Sequence, residues 1–193
     1  MEELKIEFAP DLVSSYKRLS YKIWYALAEY VDNSTQAYEN NKAILDKVYE
    51  TEKSKLIVNI NYFRGQSIEE DYFEIIDNSI GMSTDDLKRA FKIGLPPENS
   101  DGRSKYGLGM KTASFWLGDE WTIHTKKLNE NTKSNLTLNL KSIAQGSLSL
   151  NIETEEAEIN DHYTVIKIYG LHRRFKGMTI SKIKSFLSSI YRF

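Results

Sequence analysis

Two polar side chains, Glu29 and Asn33, stand four residues apart in the segment EYVDN. If this segment is helical, both lie on one face, with their Cβ atoms about 5–6 Å apart. A carboxylate can orient and deprotonate a water molecule, and an amide oxygen can ligate a hard cation such as Mg²⁺. The pair is therefore suited to metal-assisted hydrolysis, although polar pairs at this spacing are also common on solvated helix faces.

A second motif, DNSIGM, runs from Asp77 to Met82 and follows the apolar stretch YFEII. A carboxylate at the end of a strand can accept a hydrogen bond from an amino group at the mouth of a pocket. Gly81 would let a flat ring approach the backbone, and Met82 would pack on that ring. The alternative interpretation is a simple strand-ending turn, because Asp, Asn and Gly favour turns.

The third motif, GLGMKT, runs from Gly107 to Thr112 and opens a predicted helix. Glycines allow backbone N–H groups to point at an anion, and the start of a helix adds its positive dipole end. The spacing does not match a P-loop or a dinucleotide-binding fingerprint. Taken alone, the motif is equally typical of a tight turn.

Local patterns predict the elements that hold these motifs. A helix is expected to start near Ser20, a good N-cap, and to run through EYVDNSTQA. Strands are predicted at 55–63, 71–77, 120–126 and 163–170, and a hairpin is predicted to join 136–142 to 147–153 around residues 143–146. Ser83 caps a short helix, MKTASFWLG forms another, and residues 179–193 form an amphipathic one.

These elements predict an α+β fold: a two-layer sandwich with a mixed, mainly antiparallel sheet and helices on one face. Residues 94–109 form a long loop rich in Gly and Pro, and such loops are usually functional. Residues 1–15 form an N-terminal arm in which Leu4, Ile6 and Phe8 alternate as in a strand. We expect the arm to exchange across a dimer; the alternative is that it packs on its own subunit.

The composition excludes several classes of protein. Among 193 residues there are no cysteines, which excludes disulfide frameworks and thiolate zinc sites. There are three histidines, and their scattered positions argue against a histidine-rich metal site. No apolar run reaches the roughly 20 residues of a membrane span, and the N-terminus lacks a signal-peptide core, so we expect an intracellular, cytoplasmic protein, or a nuclear one in a eukaryote. With 26 basic and 27 acidic residues, nucleic-acid binding is not indicated for this domain, although a basic stretch at 170–193 leaves it open for a longer protein.

In this order and spacing, the three motifs resemble the N, G1 and G2 boxes of the GHKL ATPases, which share the Bergerat fold. This superfamily includes gyrase-type topoisomerases, a large heat-shock chaperone, histidine kinases, MutL and MORC proteins. Within it, SKYGLGMKTASFWLG is most similar to MORC-like members. The resemblance covers residues 16–170, with Ser79 replacing a family glycine and Tyr163 replacing the Gly of a Gly-Thr pair at Thr164.

The resemblance implies a role for each matching residue. Glu29 would be the general base for the attacking water, and Asn33 would ligate Mg²⁺. Asp77 would accept a hydrogen bond from the adenine amino group, assisted by Thr164 through water. The other positions divide between the base and the phosphates: Gly81 and Met82 line the base pocket, Gly107, Leu108, Gly109 and Met110 offer backbone N–H groups to the phosphates, Lys105 or Lys111 reaches a phosphate, Tyr106 belongs to the same binding segment, and 94–106 form a lid.

The resemblance also implies a function: Mg²⁺-dependent binding and slow hydrolysis of ATP, acting as a conformational and dimerisation switch for a larger machine. The transducer domain of gyrase, MutL and MORC-type members has no counterpart in 16–193, so we expect an N-terminal fragment with a further domain or partner. One alternative is a nucleotide-gated scaffold with negligible turnover. Another is a histidine-kinase-type catalytic domain, which Glu29 argues against because phosphotransfer to histidine needs no water-activating base.

Overall fold

The computed structural model describes residues 2–5, 21–91, 109–140, 142 and 149–191 of the chain. Within these ranges the helices are α1 Ile23–Asn40, α2 Lys42–Glu52, α3 Thr84–Phe91, α4 Gly109–Leu117 and α5 Gly177–Ile190, with a short 3₁₀ turn at Ile68–Glu70. The strands are β1 Glu2–Lys5, β2 Val58–Phe63, β3 Tyr72–Asp77, β4 Gly118–Lys126, β5 Thr132–Asn139, β6 Ser149–Glu156 and β7 Tyr163–Leu171.

The seven strands form one sheet in the order β1-β6-β5-β4-β7-β3-β2. Each pairing among the described residues is antiparallel, which refines the mixed sheet expected from the sequence. The predicted hairpin is confirmed by the β5–β6 register, in which Thr132 faces Glu156 and Leu136 faces Ile152. Its connecting residues, 143–146, lie outside the described ranges.

One face of the sheet is buried beneath the helices, as the alternation of side chains requires. On β3, Phe73 and Ile75 point into the core, and Trp121 and Ile123 do so on β4. They pack in one cluster with α1 and α4, which contribute Ala26, Leu27, Tyr30, Phe115 and Trp116. The α+β sandwich with helices on one face is therefore confirmed.

The two predicted helix starts have different outcomes. Helix α1 begins at Ile23 with Lys22 in the N-cap position and no side-chain cap, so the expected start near Ser20, which lies outside the described ranges, is wrong. The start of α3 is as predicted. There Ser83 Oγ accepts from the N–H of Asp86, and a carboxylate oxygen of Asp86 accepts from the N–H of Ser83, each at 3.0 Å. This is a reciprocal capping box.

The predicted amphipathic helix at the end of the chain is α5. Ile183 is buried, whereas Ile190, which the sequence pattern placed on the same stripe, is 46% exposed. Just past its end, the Tyr191 hydroxyl bonds to the Ala28 carbonyl at 3.1 Å and to an Asp32 carboxylate oxygen at 2.8 Å, which fastens α5 to α1. In the described ranges, none of the helices combines the length and apolarity that crossing a bilayer requires.

Strand β1 shows where the described part of the N-terminal arm lies. Residues 2–5 pair with β6 of the same chain, with Glu2 opposite Ile152 and Leu4 opposite Leu150. The strand therefore completes an edge of its own sheet, the second of the two alternatives considered above, and pairing it requires no exchange with another subunit.

Candidate functional site

Asp77, the last residue of β3, is a nearly buried carboxylate at the edge of the core, with 9% of its surface exposed. Its Oδ1 accepts a hydrogen bond from the Ser79 N–H at 2.9 Å, and its Oδ2 accepts one from the Ser34 hydroxyl at 2.8 Å. Burial raises the pKa of Asp77, and these two bonds oppose that shift. Each oxygen keeps a second lone pair, so the carboxylate can accept a further donor such as an amino group.

Ser34 is a site residue that the sequence analysis missed. It lies on α1, is buried, and joins the helix to the end of β3 through its bond to Asp77. Its oxygen also lies 3.0 Å from the Tyr30 carbonyl one turn earlier. The available signal was a hydroxyl in the apolar stripe of an amphipathic helix, because a buried hydroxyl needs a partner.

Glu29 and Asn33 share one face of α1, one turn apart, and both are half-buried. The Tyr21 hydroxyl donates to Glu29 Oε1 at 3.2 Å. Burial raises the pKa of Glu29; the Tyr21 bond works against this and the nearby Asp32 charge adds to it. A carboxylate with a raised pKa is better matched to accepting a proton near neutral pH than an ordinary glutamate.

Asn33 immediately precedes Ser34, so the hydrogen bond from Ser34 to Asp77 also fixes the position of Asn33 relative to the end of β3. Its amide oxygen is a suitable Mg²⁺ ligand. Among the residues that the structure describes, no group of three or more His, Cys, Asp or Glu could hold a metal. The Asn33 amide oxygen as a protein ligand fits Mg²⁺, which typically takes one or two protein ligands and completes its coordination shell with phosphate oxygens and water.

Thr164 lies directly opposite Asp77 on β3 and opposite Thr125 on β4, so the three residues form one row across the buried face. The Thr125 hydroxyl donates to the Tyr163 carbonyl at 3.0 Å and accepts from the Met82 N–H at 2.9 Å. The Thr125 hydroxyl has one proton and donates it to the Tyr163 carbonyl. In the 3.2 Å bond between Thr125 and Thr164, the Thr164 hydroxyl is therefore the donor and the Thr125 oxygen is the acceptor. The Thr164 oxygen can therefore accept a further donor, such as a water beside Asp77.

Thr125 is the second site residue that the sequence analysis missed. It connects the G1 segment, through Met82, with the β7 strand that carries Thr164. Its signal was weak: in WTIHT on β4, alternate residues point inward, and Thr125 places a hydroxyl at an inward position after Trp121 and Ile123.

The structure shows a backbone and packing reason for glycine at position 81. Its φ is +73°, a conformation that favours glycine, and a Cβ built on it would lie 1.8 Å from the Lys126 carbonyl oxygen. The packing of the β4 end excludes a side chain here, and the approach of a flat ring to Gly81 stays a prediction. Ser79 does not have a positive φ, so serine is accommodated at this position, where the GHKL motif that the segment resembles has glycine.

Helix α4 starts at Gly109 and is tied to α1 by a 2.6 Å hydrogen bond between the Tyr30 and Ser114 hydroxyls. Met110 packs against the main core. The first four N–H groups of an α-helix, here those of 109–112, have no acceptor inside it and carry partial positive charge. Binding of phosphate by the N–H groups of Gly109 and Met110, and the contact of Lys111 with a phosphate, stay predictions.

The structure therefore gathers three motifs around α1, with Ser34 bonded to Asp77 and Tyr30 bonded to α4. Four residues of the predicted phosphate-binding segment, Lys105, Tyr106, Gly107 and Leu108, and the predicted lid at 94–106 lie outside the described ranges.

Comparison with known proteins agrees with this arrangement. The family described as "Histidine kinase-, DNA gyrase B-, and HSP90-like ATPase" matches residues 21–168, a span that includes α1, the end of β3, the start of α4 and Thr164. No curated protein matches the chain.

Proposed function

The chain belongs to the histidine kinase-, DNA gyrase B- and HSP90-like ATPase family, and on this basis we propose that it binds ATP with Mg²⁺ around Asp77 and hydrolyses it slowly. Membership in the family implies ATP binding. The participation of Mg²⁺, the roles of individual residues and the biological use of the ATP are the parts that we propose.

The observation that carries the proposal is the buried Asp77 carboxylate. Both oxygens are already oriented, one by Ser79 and one by Ser34, and both keep an acceptor lone pair. Adenine presents an amino donor that matches this acceptor, whereas guanine presents a carbonyl oxygen at the equivalent ring position. The Thr164 oxygen in the next strand supports a water at the same edge of the base.

Glu29 is the proposed general base. Its raised pKa lets it take a proton from the attacking water, and its bond from Tyr21 restricts where the carboxylate can lie. Asn33, one turn further along α1, would hold Mg²⁺, which when bound reduces the negative charge of the phosphates. The N–H groups at the start of α4 would bind the phosphates.

We further propose that ATP acts as a switch in this protein, closing a lid at 94–106 and favouring a homodimer as part of a larger assembly. The support is the resemblance of SKYGLGMKTASFWLG to MORC-like members. This segment contains helix α4, which is bonded directly to α1 through the hydroxyls of Ser114 and Tyr30. A ligand held at the start of α4 would therefore affect the helix that carries Glu29 and Asn33.

Calorimetry and a phosphate-release assay test the proposal together. The wild-type chain should bind ATP and ADP more tightly than GTP and release phosphate only in the presence of Mg²⁺. The Glu29→Gln variant should bind ATP as wild type does, while its turnover falls by about 10²–10⁴-fold. Failure to bind ATP would overturn the proposal. Binding without turnover in the wild type would instead favour the nucleotide-gated scaffold.

A further inference from the structure

Lys126, the last residue of β4, is a lysine with none of its surface exposed. Its ammonium nitrogen lies within hydrogen-bond distance of three backbone carbonyl oxygens: 2.7 Å from Lys127, 2.6 Å from Glu130 and 3.3 Å from Asp161. Lysine is almost never fully buried unless its charge is compensated. Here three carbonyl dipoles take that role.

The number of acceptors matches the number of donors. A carbonyl oxygen can only accept, and a lysine ammonium group has three N–H donors, one for each of the three carbonyl oxygens. Lys126 thus behaves as a tethered cation in a cage of main-chain oxygens. The cage joins two segments that are remote in sequence: the β4–β5 turn, 126–131, and the loop before β7, 157–162.

Both segments support the Asp77–Gly81 loop. The Lys126 carbonyl oxygen occupies the space that a side chain at Gly81 would need. In the same turn, the Leu128 N–H donates to the Ile80 carbonyl at 3.0 Å. From the other segment, Nδ1 of His162 lies 2.9 Å from the Ser79 carbonyl and donates to it, because that oxygen can only accept.

We propose that Lys126 is a positioning residue for the nucleotide base: its ammonium group holds the two segments against the Asp77–Gly81 loop and so sets the affinity for ATP. This inference rests on the proposed function, because the loop is the proposed adenine site. Lys126 touches no substrate in this arrangement. Its effect is expected on the binding of the base and not on the chemistry at the phosphates, which Glu29 serves from α1.

The primary test compares Lys126→Met, which keeps the length of the side chain without its donors, with Lys133→Met. Lys133 lies opposite Lys126 in the β4–β5 pairing, and its ammonium group bonds to Glu155 at the surface. Loss of hydrogen bonds from a charged donor should raise the Kd of Lys126→Met for ATP, ADP and adenosine alike by about tenfold or more. Its kcat at saturating ATP should match that of the wild type, and Lys133→Met should be normal in both.

Chemical rescue separates positioning from a general loss of stability. In Lys126→Ala, the oxygen cage is left without its cation, and ammonium chloride should restore much of the ATP affinity. Tetramethylammonium chloride at equal ionic strength has no N–H donor and is too large, so it should not. A lower melting temperature with unchanged Kd would show that Lys126 is only structural and would overturn the inference.

Hydrogen exchange on the unmodified protein provides a test that survives poor folding of the variants. ATP binding should slow exchange of the Leu128 amide, which bonds to the Ile80 carbonyl. No change at Leu128 on ATP binding would overturn the inference. The two proposals fail differently: a wild type that binds no ATP overturns the proposed function, whereas a wild type and a Lys126→Met variant that bind equally overturn only the role of Lys126.

Discussion

The Ser34 hydroxyl and the Asp77 carboxylate are joined by a buried hydrogen bond of 2.8 Å across 43 positions of sequence. This one contact connects the helix that carries Glu29 and Asn33 with the strand end that carries the proposed base-recognition group. In the proposed function, it fixes the distance between the catalytic and the base-binding parts of the site, so a common anchor would position the reacting end and the base end of a bound nucleotide.

Replacing Ser34 with Ala should weaken nucleotide binding, because Asp77 loses a donor that orients it. A hydrogen bond to a charged group is worth about 1.5–3 kcal/mol, so the Kd for ATP should rise by about tenfold or more. Thr35→Ala is the matched control, since the Thr35 hydroxyl bonds to the Val31 carbonyl on its own helix. Calorimetry that gives the same Kd for both variants would contradict the anchoring role.

Asp77→Asn should abolish ATP binding without lowering the free energy of unfolding at neutral pH. Burial raises the pKa of Asp77 in the folded state, so the stability that this group contributes is present below its unfolded pKa and is lost as pH rises through the folded value. A neutral amide avoids that loss at pH 7, and it lacks the second acceptor that the carboxylate offers. Urea titration and calorimetry measure the two effects, and an unfolded or ATP-binding variant would count against the assignment.

Tyr21→Phe should move the acid limb of the hydrolysis profile to higher pH. The Tyr21 hydroxyl lowers the pKa of Glu29, so its removal lets burial raise that pKa further, and Glu29 must be ionised to act as a base. Burial and the Glu29 charge raise the pKa of Tyr21 itself to about 12, so it remains a donor throughout the assay range. Measuring turnover against pH checks this. The control is Tyr25→Phe, which changes an exposed tyrosine on α1, the helix that carries Glu29. A limb that stays in place would show that another group titrates.

Gly81→Ala should destabilise the fold, whereas Gly177→Ala should not. The left-handed backbone alone costs a side chain about 1–2 kcal/mol, and the 1.8 Å approach to the Lys126 carbonyl adds to this. Gly177 opens α5 with nothing within 4 Å of an added Cβ, so alanine there should stabilise by about 0.4–1 kcal/mol. The midpoints of urea unfolding compare the two. Equal midpoints would mean that the Gly81 loop shifts readily.

A nucleotide-linked dimer, if it forms, should survive removal of the N-terminal arm. Strand β1 already pairs with β6 of its own chain, so deletion of residues 1–10 should lower the free energy of unfolding and leave assembly intact. Sedimentation with no ligand, ADP and a non-hydrolysable ATP analogue gives the oligomeric state of both forms. Loss of an ATP-linked dimer on deletion would show exchange of the arm, and a monomer in all conditions would contradict the proposed switch.

The parts of the candidate site that could be predicted from the sequence are those whose residues lie close together in the chain. Glu29 and Asn33 follow from one helical turn, and Asp77 follows from a strand that ends in an Asn-Ser turn. Ser34 and Thr125 were missed because their partners, Asp77 and Met82, are each 43 residues away. Only the register of the sheet and its packing on α1 bring such pairs together.

The fold class was predictable because the buried faces alternate strongly, but strand limits were less so. Strand β5 begins at Thr132, whereas the apolar alternation suggested residue 136. The intervening residues TKSN carry no hydrophobic signal. They join the sheet because β4 offers partners on one side, with Ser134 opposite Thr125, and β6 on the other, with Lys133 opposite Glu155.

The position of β1 has a consequence for the order in which the chain folds. Strand β1 precedes the other described strands in the sequence but pairs with β6, with Leu4 opposite Leu150, so residues 2–5 have no place in the sheet until β6 has been synthesised. Pairings of such long range form slowly. As a four-residue strand at an edge, β1 should also be the first to detach in the native state, giving its amides the fastest exchange among the sheet strands.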